Sequence, residues 1–276
     1  MPFWPSRAVP SSGAAVCRSV QSVMTAPLPG VPNWVDLGTA DLEDAKRFYT
    51  TLFGWTAHVS GDEYGGYTIF ARDGRPAAGA GPLFGEGQPT AWSTYIATDD
   101  ADAVAGRVAA AGGKVLVPPF DVGDQGRMAA LLDQAGAPFS VWQAGTMPGA
   151  EVFDEPGSVT WFELVTRDVE GSAAFYGAAF GWTARGSAPD AAPYVVFERD
   201  GATVAGLQPM SDDWPDDVSP HWMVYFAVEN CDATAEHAYA LGGQVIQPPA
   251  NIAFGRTAVL TDPEGGTFSI LAPNQR

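Results

Sequence analysis

The sequence repeats itself, and this repeat constrains the fold more than any other feature. Stretches of the first half recur in the second half at an offset of 127 residues, and later stretches recur at 129 or 130. Self-similarity of this kind marks a duplicated structural unit whose loops have changed length. The chain is therefore predicted to fold as two similar modules. The matched stretches include Phe48-Tyr49 with Phe175-Tyr176, Phe53-Gly54-Trp55 with Phe180-Gly181-Trp182, and Arg72-Asp73-Gly74 with Arg199-Asp200-Gly201.

The repeat sets the predicted domain boundaries. We predict module 1 over residues 31–144, a linker containing proline and glycine over 145–158, and module 2 over 159–276. Residues 1–30 have no periodic apolar pattern and are predicted to be a disordered or mis-called N-terminal extension, with Met24 as an alternative start.

Each module begins with the pattern of a strand followed by a helix. Apolar residues fit strands over 34–39 and 161–166, and helical spacing follows in both copies. Further strands and a second helix, at 101–111 and 233–241, make each module a pair of βαβββ units. The first helices are expected to run from an N-cap aspartate to a C-terminal glycine, Asp41 to Gly54 in module 1 and Asp168 to Gly181 in module 2.

The charge of the chain argues against two classes of partner. With 32 acidic and 14 basic residues, the net charge is -18, which repels nucleic-acid backbones and anionic membrane surfaces. Cys17 and Cys231 are too few for a disulfide framework, and no stretch is predicted to be a secretory signal or a membrane span. We therefore predict a cytoplasmic protein with a small organic ligand.

The repeated motifs resemble the vicinal oxygen chelate superfamily, which includes glyoxalases, extradiol dioxygenases and bleomycin-resistance proteins. The resemblance lies in the strand–Asp–helix–Phe-Tyr–Phe-Gly-Trp pattern of 34–55 and 161–182, and in the run over 255–271. It is similar above all to two-module actinobacterial proteins that carry a hydroxylase label. The resemblance implies an α+β fold of tandem modules, each a curved mixed sheet forming a cup, in a monomer with internal pseudo-twofold symmetry or in a homodimer.

Strand parity then predicts which side chains face each cup, because alternate residues of a strand point to opposite faces. His221 shares the parity of Met223 and is expected near the mouth of the second cup. The other inward side chains are expected to be Trp34, Asp36, Ser93, Tyr95, Ser140 and Trp142 in module 1, and Trp161, Glu163, Met223, Tyr225, Ser269 and Leu271 in module 2.

The positions at which metal-using members carry their ligands are occupied by other residue types in this chain. The resemblance places these positions at Trp34, Ser93 and Ser140, and at Trp161, Met223 and Ser269. Indole, thioether and hydroxyl groups are poor ligands for hard divalent ions. We therefore expect no metal and no other cofactor; the alternative is a shifted site of His221, Glu163 and waters.

The inward acids Asp36 and Glu163 admit two interpretations. One is a structural ion pair with Arg127 or Arg256, which recur at equivalent places. The other is a general base whose pKa is raised by an apolar cup. The two arginines and the inward polar and aromatic side chains form the predicted ligand-binding set.

Three functions are compatible with this pattern. The first is a metal-independent enzyme, of hydroxylase or of lyase or isomerase type, acting on an aromatic or polyketide-like substrate through Glu163 and Asp36. The second is a non-catalytic binding or sequestration protein of the antibiotic-resistance type. The third is a structural duplication with filled cups. We favour the enzyme, since inward carboxylates next to tyrosines suit proton transfer.

Overall fold

The structure is a computed structural model that describes residues 28–61, 64–83, 85, 87–187 and 193–274. The predicted N-terminal extension lies outside these residues except for its last three positions, and so does Cys17.

Copy 1 of the repeat contains two successive βαβββ units. The strands carry alternating or continuous apolar residues, and each helix buries one face. Its elements are β1 (Pro32–Thr39), α1 (Leu42–Phe53), β2 (Thr56–Val59), β3 (Thr68–Arg72), β4 (Arg75–Pro82), β5 (Ala91–Thr98), α2 (Ala101–Ala110), β6 (Lys114–Val122), β7 (Gly126–Leu132) and β8 (Pro138–Ala144).

Copy 2 has the same order of elements. They are β9 (Val159–Thr166), α3 (Val169–Phe180), β10 (Thr183–Gly186), β11 (Val195–Arg199), β12 (Ala202–Pro209), β13 (His221–Ala227), α4 (Cys231–Ala240), β14 (Gln244–Ile252), β15 (Gly255–Thr261) and β16 (Thr267–Pro273).

Each copy forms one eight-stranded mixed sheet. The strand orders are β2-β3-β4-β1-β5-β8-β7-β6 and β10-β11-β12-β9-β13-β16-β15-β14. In copy 1, β1 runs parallel to β4 and antiparallel to β5, so the two βαβββ units join at the centre of the sheet. Strand β9 makes the equivalent pairs in copy 2. This topology confirms the predicted α+β fold of paired βαβββ units.

The helix ends follow the predicted capping residues. The Asp41 side chain accepts a hydrogen bond from the backbone N–H of Asp44 at 2.9 Å, and Asp168 caps α3 in the same way. Gly54 and Gly181 adopt the left-handed conformation, with φ of 69° and 73°, which a residue with a side chain adopts at a cost. No helix in the described part of the chain is long and apolar enough to cross a membrane.

The second helix of copy 2 begins earlier than predicted. It starts at Cys231 rather than Ala233, because the Asn230 side chain accepts a hydrogen bond from the Ala233 N–H at 3.0 Å and caps the helix there.

The two sheets share one hydrophobic core, which also contains the apolar faces of all four helices. Aromatic side chains of the two copies meet inside it. The rings of Phe53 and Phe226 have centroids 5.0 Å apart, and those of Phe139 and Phe175 are 6.2 Å apart. Each copy therefore completes the core of the other.

Buried hydrogen bonds also cross between the copies, and they do so reciprocally. Tyr49 of α1 donates to Asp262 of copy 2 at 2.9 Å, and Tyr176 of α3 donates to Asp133 of copy 1 at 3.2 Å. Each tyrosine hydroxyl in turn accepts from an indole N–H, Trp92 for Tyr49 and Trp222 for Tyr176. The reciprocity gives the chain an internal pseudo-twofold arrangement.

Candidate functional site

The face of each sheet opposite the shared core carries a separate cluster of side chains, which we call cup 1 and cup 2. On β1, Val35 and Leu37 point into the shared core, whereas Trp34 points into cup 1. The cup 1 cluster is formed by Trp34, Tyr95, Met128 and Trp142, and the cup 2 cluster by Val165, Met210, Met223 and Val259, with Tyr225 packed against it.

A carboxylate held by two tyrosines lies in cup 1. The Tyr95 hydroxyl donates to Asp36 Oδ2 at 2.8 Å, and the Tyr67 hydroxyl donates to the same oxygen at 3.3 Å. The indole N–H of Trp34 donates to the Tyr67 hydroxyl at 3.0 Å. The four side chains form one connected hydrogen-bond network, which we call the acid–tyrosine group.

Cup 2 repeats this group with a glutamate. The Tyr225 hydroxyl donates to Glu163 Oε1 and the Tyr194 hydroxyl donates to Oε2, both at 2.7 Å. The indole N–H of Trp161 donates to the Tyr194 hydroxyl at 3.0 Å. The same constellation is thus built twice from repeat-equivalent positions.

Glycines on the neighbouring strands make room for the tyrosines. Gly79 lies opposite Asp36 in the parallel register of β4 and β1, and a Cβ there would come within 1.9 Å of the Tyr67 hydroxyl. Gly206 lies opposite Glu163, and a Cβ there would come within 1.9 Å of the Tyr194 hydroxyl. Any larger residue would therefore displace the tyrosine from the acid.

Burial shifts the acids toward their protonated forms. Desolvation raises the pKa of Asp36 from 3.8 to about 6, although the hydrogen bonds from Tyr95 and Tyr67 oppose the shift. Burial raises the pKa of Glu163 in the same way. Burial and the adjacent carboxylate raise the pKa of Tyr225 as well, so the tyrosine stays a proton donor at neutral pH.

The remaining inward side chains lie next to these groups. Ser140 is in parallel register with Tyr95, and Ser269 is in parallel register with Tyr225. Ser93 pairs with Asp36 across β5, whereas the equivalent partner of Glu163 is Met223. The structure buries Ser140, Trp142, Met223 and Ser269 and half-buries Ser93.

The predicted role of the two arginines in the cups is wrong. Arg127 pairs with Asp102 at 2.8 Å and with Asp121 at 2.9 Å, and Arg256 pairs with Asp232 at 2.6 Å. Strand parity explains the error. Met128 faces cup 1, so its neighbour Arg127 must point to the side that carries helix α2.

This correction yields a prediction for Glu163. Glu163→Gln is expected to change the free energy of unfolding by less than about 1 kcal/mol at neutral pH, because no arginine is left unpaired and Tyr225 can turn its O–H to accommodate the amide. Breaking a buried ion pair would instead destabilise by about 3–5 kcal/mol. Urea unfolding of the mutant and the wild type measures the difference, and a loss in that larger range would show that Glu163 has a cationic partner.

Two members of the acid–tyrosine groups, Tyr67 and Tyr194, were not identified from the sequence. They precede strands β3 and β11, where the apolar pattern starts, and therefore look like loop residues. Their signal was the repeat itself, since they are separated by the same offset of 127 as Asp36 and Glu163.

The two cups are covered by different segments. In cup 1, Met147 of the linker packs on the cluster and its carbonyl accepts from the Trp142 indole at 2.8 Å. In cup 2, Trp214 packs on the cluster, and Arg167 holds the same segment by donating to the carbonyl of Val218 at 2.7 Å. The cups therefore repeat their acid–tyrosine groups but differ at their edges.

His221 lies at the edge of cup 2. It pairs with Val165 in the β13–β9 register, its Nδ1 is 2.9 Å from the carbonyl oxygen of Ser219, and burial lowers its pKa. Among the described residues, no three His, Cys, Asp or Glu side chains come together in a group suited to a metal ion.

Comparisons with known protein families match both halves of the chain. Residues 31–141 match the family described as the Glyoxalase/Bleomycin resistance protein/Dioxygenase superfamily, and residues 161–271 match a Glyoxalase-like domain.

Individual relatives agree with these matches. The anthracycline biosynthesis protein DnrV of Streptomyces peucetius is 43% identical over 263 residues, covering 90% of this chain and 95% of DnrV. CFP32 of Mycobacterium bovis, provisionally named a glyoxylase, is 44% identical over 252 residues, covering 88% of this chain and 95% of CFP32. The Mn(II)-bound glyoxalase of Novosphingobium aromaticivorans superposes with a TM-score of 0.60 at 15% identity, covering 88% of this chain and 82% of that one, and shows the shared fold alone.

Proposed function

Because the chain belongs to the Glyoxalase/Bleomycin resistance protein/Dioxygenase superfamily, we propose that it binds a small, flat aromatic molecule in its cups and exchanges protons with it. The observation that carries this proposal is the acid–tyrosine group, built in both copies around Asp36 and Glu163. A carboxylate on the outer face of a sheet, with neutral partners only, is unfavourable to fold and suits a function.

The residues of each group have distinct roles in this proposal. The indoles of Trp34 and Trp161 provide flat apolar walls for an aromatic ligand. The acids accept or donate a proton, since a pKa near the operating pH favours both directions. The tyrosines fix the carboxyl group by hydrogen bonds and, because their own pKa values are raised, do not lose their protons.

The class of ligand is suggested by a relative. DnrV is named for anthracycline biosynthesis, and the chain matches nearly its whole length. We propose a polyketide-like aromatic with carbonyl and hydroxyl groups, which the aromatic walls and hydroxyls of the cups would accommodate. A cytoplasmic location and the oligomeric state stay predictions from the sequence.

A divalent metal, as in the Mn(II)-bound glyoxalase, does not fit the residues of this chain. At the positions that the family resemblance assigns to ligands, copy 1 has Trp34 and two serines. Copy 2 has Trp161, Met223 and a serine. Both indoles already donate to tyrosine hydroxyls, and a thioether is a poor ligand for hard ions. We therefore propose that the chain works without a bound metal.

This proposal predicts that the purified protein contains only substoichiometric zinc, nickel, iron or manganese. The expectation rests on the donor set, which offers no suitable ligands at the six positions. Inductively coupled plasma mass spectrometry after exhaustive dialysis measures it. A full equivalent of one metal that disappears in Glu163→Gln or His221→Ala would contradict it.

A second candidate function is binding without chemistry, as in a sequestration protein. The observation in its favour is that both oxygens of Glu163 already accept hydrogen bonds from tyrosines, which leaves cup 2 without a free acceptor on the acid.

Titration with a hydroxyanthraquinone tests the proposed function. Tryptophans line the cups, so a bound flat ligand should quench their fluorescence. Combining Trp34→Leu with Trp161→Leu should raise the dissociation constant by about tenfold or more, since stacking and buried area are lost. Calorimetry gives affinity and stoichiometry for each variant, and thermal unfolding verifies that the variants are folded.

Tyr239→Leu is the matched control, since Tyr239 is 70% exposed on α4, outside both cups. Its affinity for the probe should equal that of the wild type. No binding by the wild type, or equal binding by the cup variant, would contradict the proposed function.

A further inference from the structure

The two acid–tyrosine groups differ in how their carboxyl oxygens are used. In cup 1, both tyrosines donate to the same atom, Asp36 Oδ2. Within the part of the chain that the structure describes, Oδ1 of Asp36 accepts no hydrogen bond. In cup 2, the tyrosines donate to different atoms, so Oε1 and Oε2 of Glu163 are both engaged.

The surroundings of the two acids differ in the same direction. Asp36 is half-buried, whereas Glu163 is only 8% exposed. The cross-strand neighbour of Asp36 is Ser93, a hydroxyl, and the cross-strand neighbour of Glu163 is Met223, a thioether. A ligand in cup 1 therefore meets a free carboxyl oxygen beside a hydroxyl, and a ligand in cup 2 meets an acid closed off by tyrosines.

Resting on the proposed function, we propose that the two cups divide the work: cup 1 is the acid–base site, with Asp36 Oδ1 as the atom that exchanges the proton, and cup 2 only binds. The substrate class is an aromatic ketone with an acidic C–H next to its carbonyl group. Both the free lone pair and the hydroxyl needed by such a substrate are present in cup 1 alone.

The proton transfer balances without a further reactant. Asp36 Oδ1, as carboxylate, takes the proton from the carbon next to the carbonyl. The electron pair of the broken C–H bond forms a C=C bond, and the carbonyl π pair moves to oxygen, giving an enolate. Ser93 is the hydroxyl we assign to that oxygen. The proton then returns from Oδ1 to the same carbon or to a conjugated one, so the net reaction is exchange or isomerisation.

The arrangement of Tyr67 and Tyr95 suits this cycle. Their hydrogen bonds hold Oδ2 in both protonation states, so the proton comes and goes at Oδ1 without rearrangement. A proton on either oxygen of Glu163 would compete with a tyrosine hydrogen bond. The pKa of Asp36, raised to about 6 by burial, leaves the carboxylate as the main form at neutral pH. Exchange should therefore rise with pH through about 6 and then level off.

Deuterium exchange into 2-tetralone tests the inference. The full-length protein is incubated with this bicyclic aryl ketone in D2O, and proton NMR follows the loss of its benzylic C–H signal. Binding is measured in parallel by tryptophan fluorescence. Asp36→Asn should lower the protein-dependent exchange by about 100-fold or more, the contribution expected of a general base. Glu163→Gln should lower it by less than about threefold and should weaken binding at one of two sites.

The controls separate the role of Asp36 from a loss of structure. Asp102→Asn, on the helix side of the sheet, should exchange at the wild-type rate. Asp36→Glu keeps a carboxyl group and should restore part of the exchange that Asp36→Asn loses, with the same inflection in its pH profile.

Each outcome decides between the proposals. A large loss in Asp36→Asn, with bound ketone and a small loss in Glu163→Gln, supports the division. Equal losses in both variants, or a larger loss in Glu163→Gln, overturn it. Exchange at the buffer rate while the ketone is bound overturns the inference and leaves the proposed binding function. Failure of the ketone to bind overturns both.

Discussion

Replacing Phe226 by alanine is expected to lower the free energy of unfolding by about 3–5 kcal/mol and to weaken both copies together. Phe226 belongs to copy 2, yet its ring lies 5.0 Å from Phe53, 5.6 Å from Trp55 and 5.2 Å from Trp92, all of copy 1. Its side chain is fully buried, so the truncation leaves a cavity between the two sheets. Copy 1 loses as many aromatic contacts as copy 2.

Urea unfolding, followed by far-ultraviolet circular dichroism and by tryptophan fluorescence, measures this effect. Both signals should report one transition, shifted as a whole in the mutant. Tyr239→Ala is the control and should change the stability by less than about 0.5 kcal/mol, because the side chain is largely exposed. Two separate transitions, with only one of them shifted, would show that the copies fold independently.

Replacing Asp36 by asparagine is expected to stabilise the protein at pH 8 by about 3 kcal/mol. Burial raises the pKa of Asp36 from 3.8 to about 6, so the folded state binds this proton more tightly than the unfolded state. The stability that this proton contributes is fully present below about pH 4 and is lost as the pH rises through about 6. Asparagine stays neutral throughout, and its amide nitrogen takes the place of Oδ1, to which no tyrosine donates.

The measurement is the free energy of unfolding between pH 4 and pH 8 for both proteins. The mutant should gain on the wild type through the interval from about pH 4 to about pH 6 and keep a constant advantage above it. Glu163 contributes to the pH dependence of both proteins, so the difference between them isolates Asp36. Asp102→Asn should show no gain at pH 8, since Arg127 lowers the pKa of Asp102. A destabilised Asp36→Asn at pH 8 would mean that the carboxylate has a cationic partner.

The features that could be predicted from the sequence depend on local rules. The repeat located both modules, and residue types fixed the caps at Asp41 and Asp168 and the helix ends at Gly54 and Gly181. Parity placed Trp34 on the cup side of β1, because one strand needs only the alternation of its own side chains.

The features that could not be predicted depend on contacts between distant segments. Nothing local shows that Tyr49 donates to Asp262 of the other copy, 213 residues away. The error about Arg127 had a different cause, since parity was applied to β1, β5 and β8 but not to β7. The partners of Asp36 were missed because Tyr67 comes from a segment whose position over β4 depends on the glycine opposite Asp36.

The reciprocal hydrogen bonds across the shared core have a consequence for how this duplicated chain can change over evolutionary time. Any substitution at Tyr49 must be answered in the other half of the gene product, at Asp262, so the facing surfaces are tied to each other. The cups carry no such obligation. Within this one sequence, the core pairs are identical between the halves, whereas Asp36 has become Glu163 and Ser93 has become Met223. Duplication thus gave the chain a fixed frame in which either half is free to acquire chemistry that the other lacks.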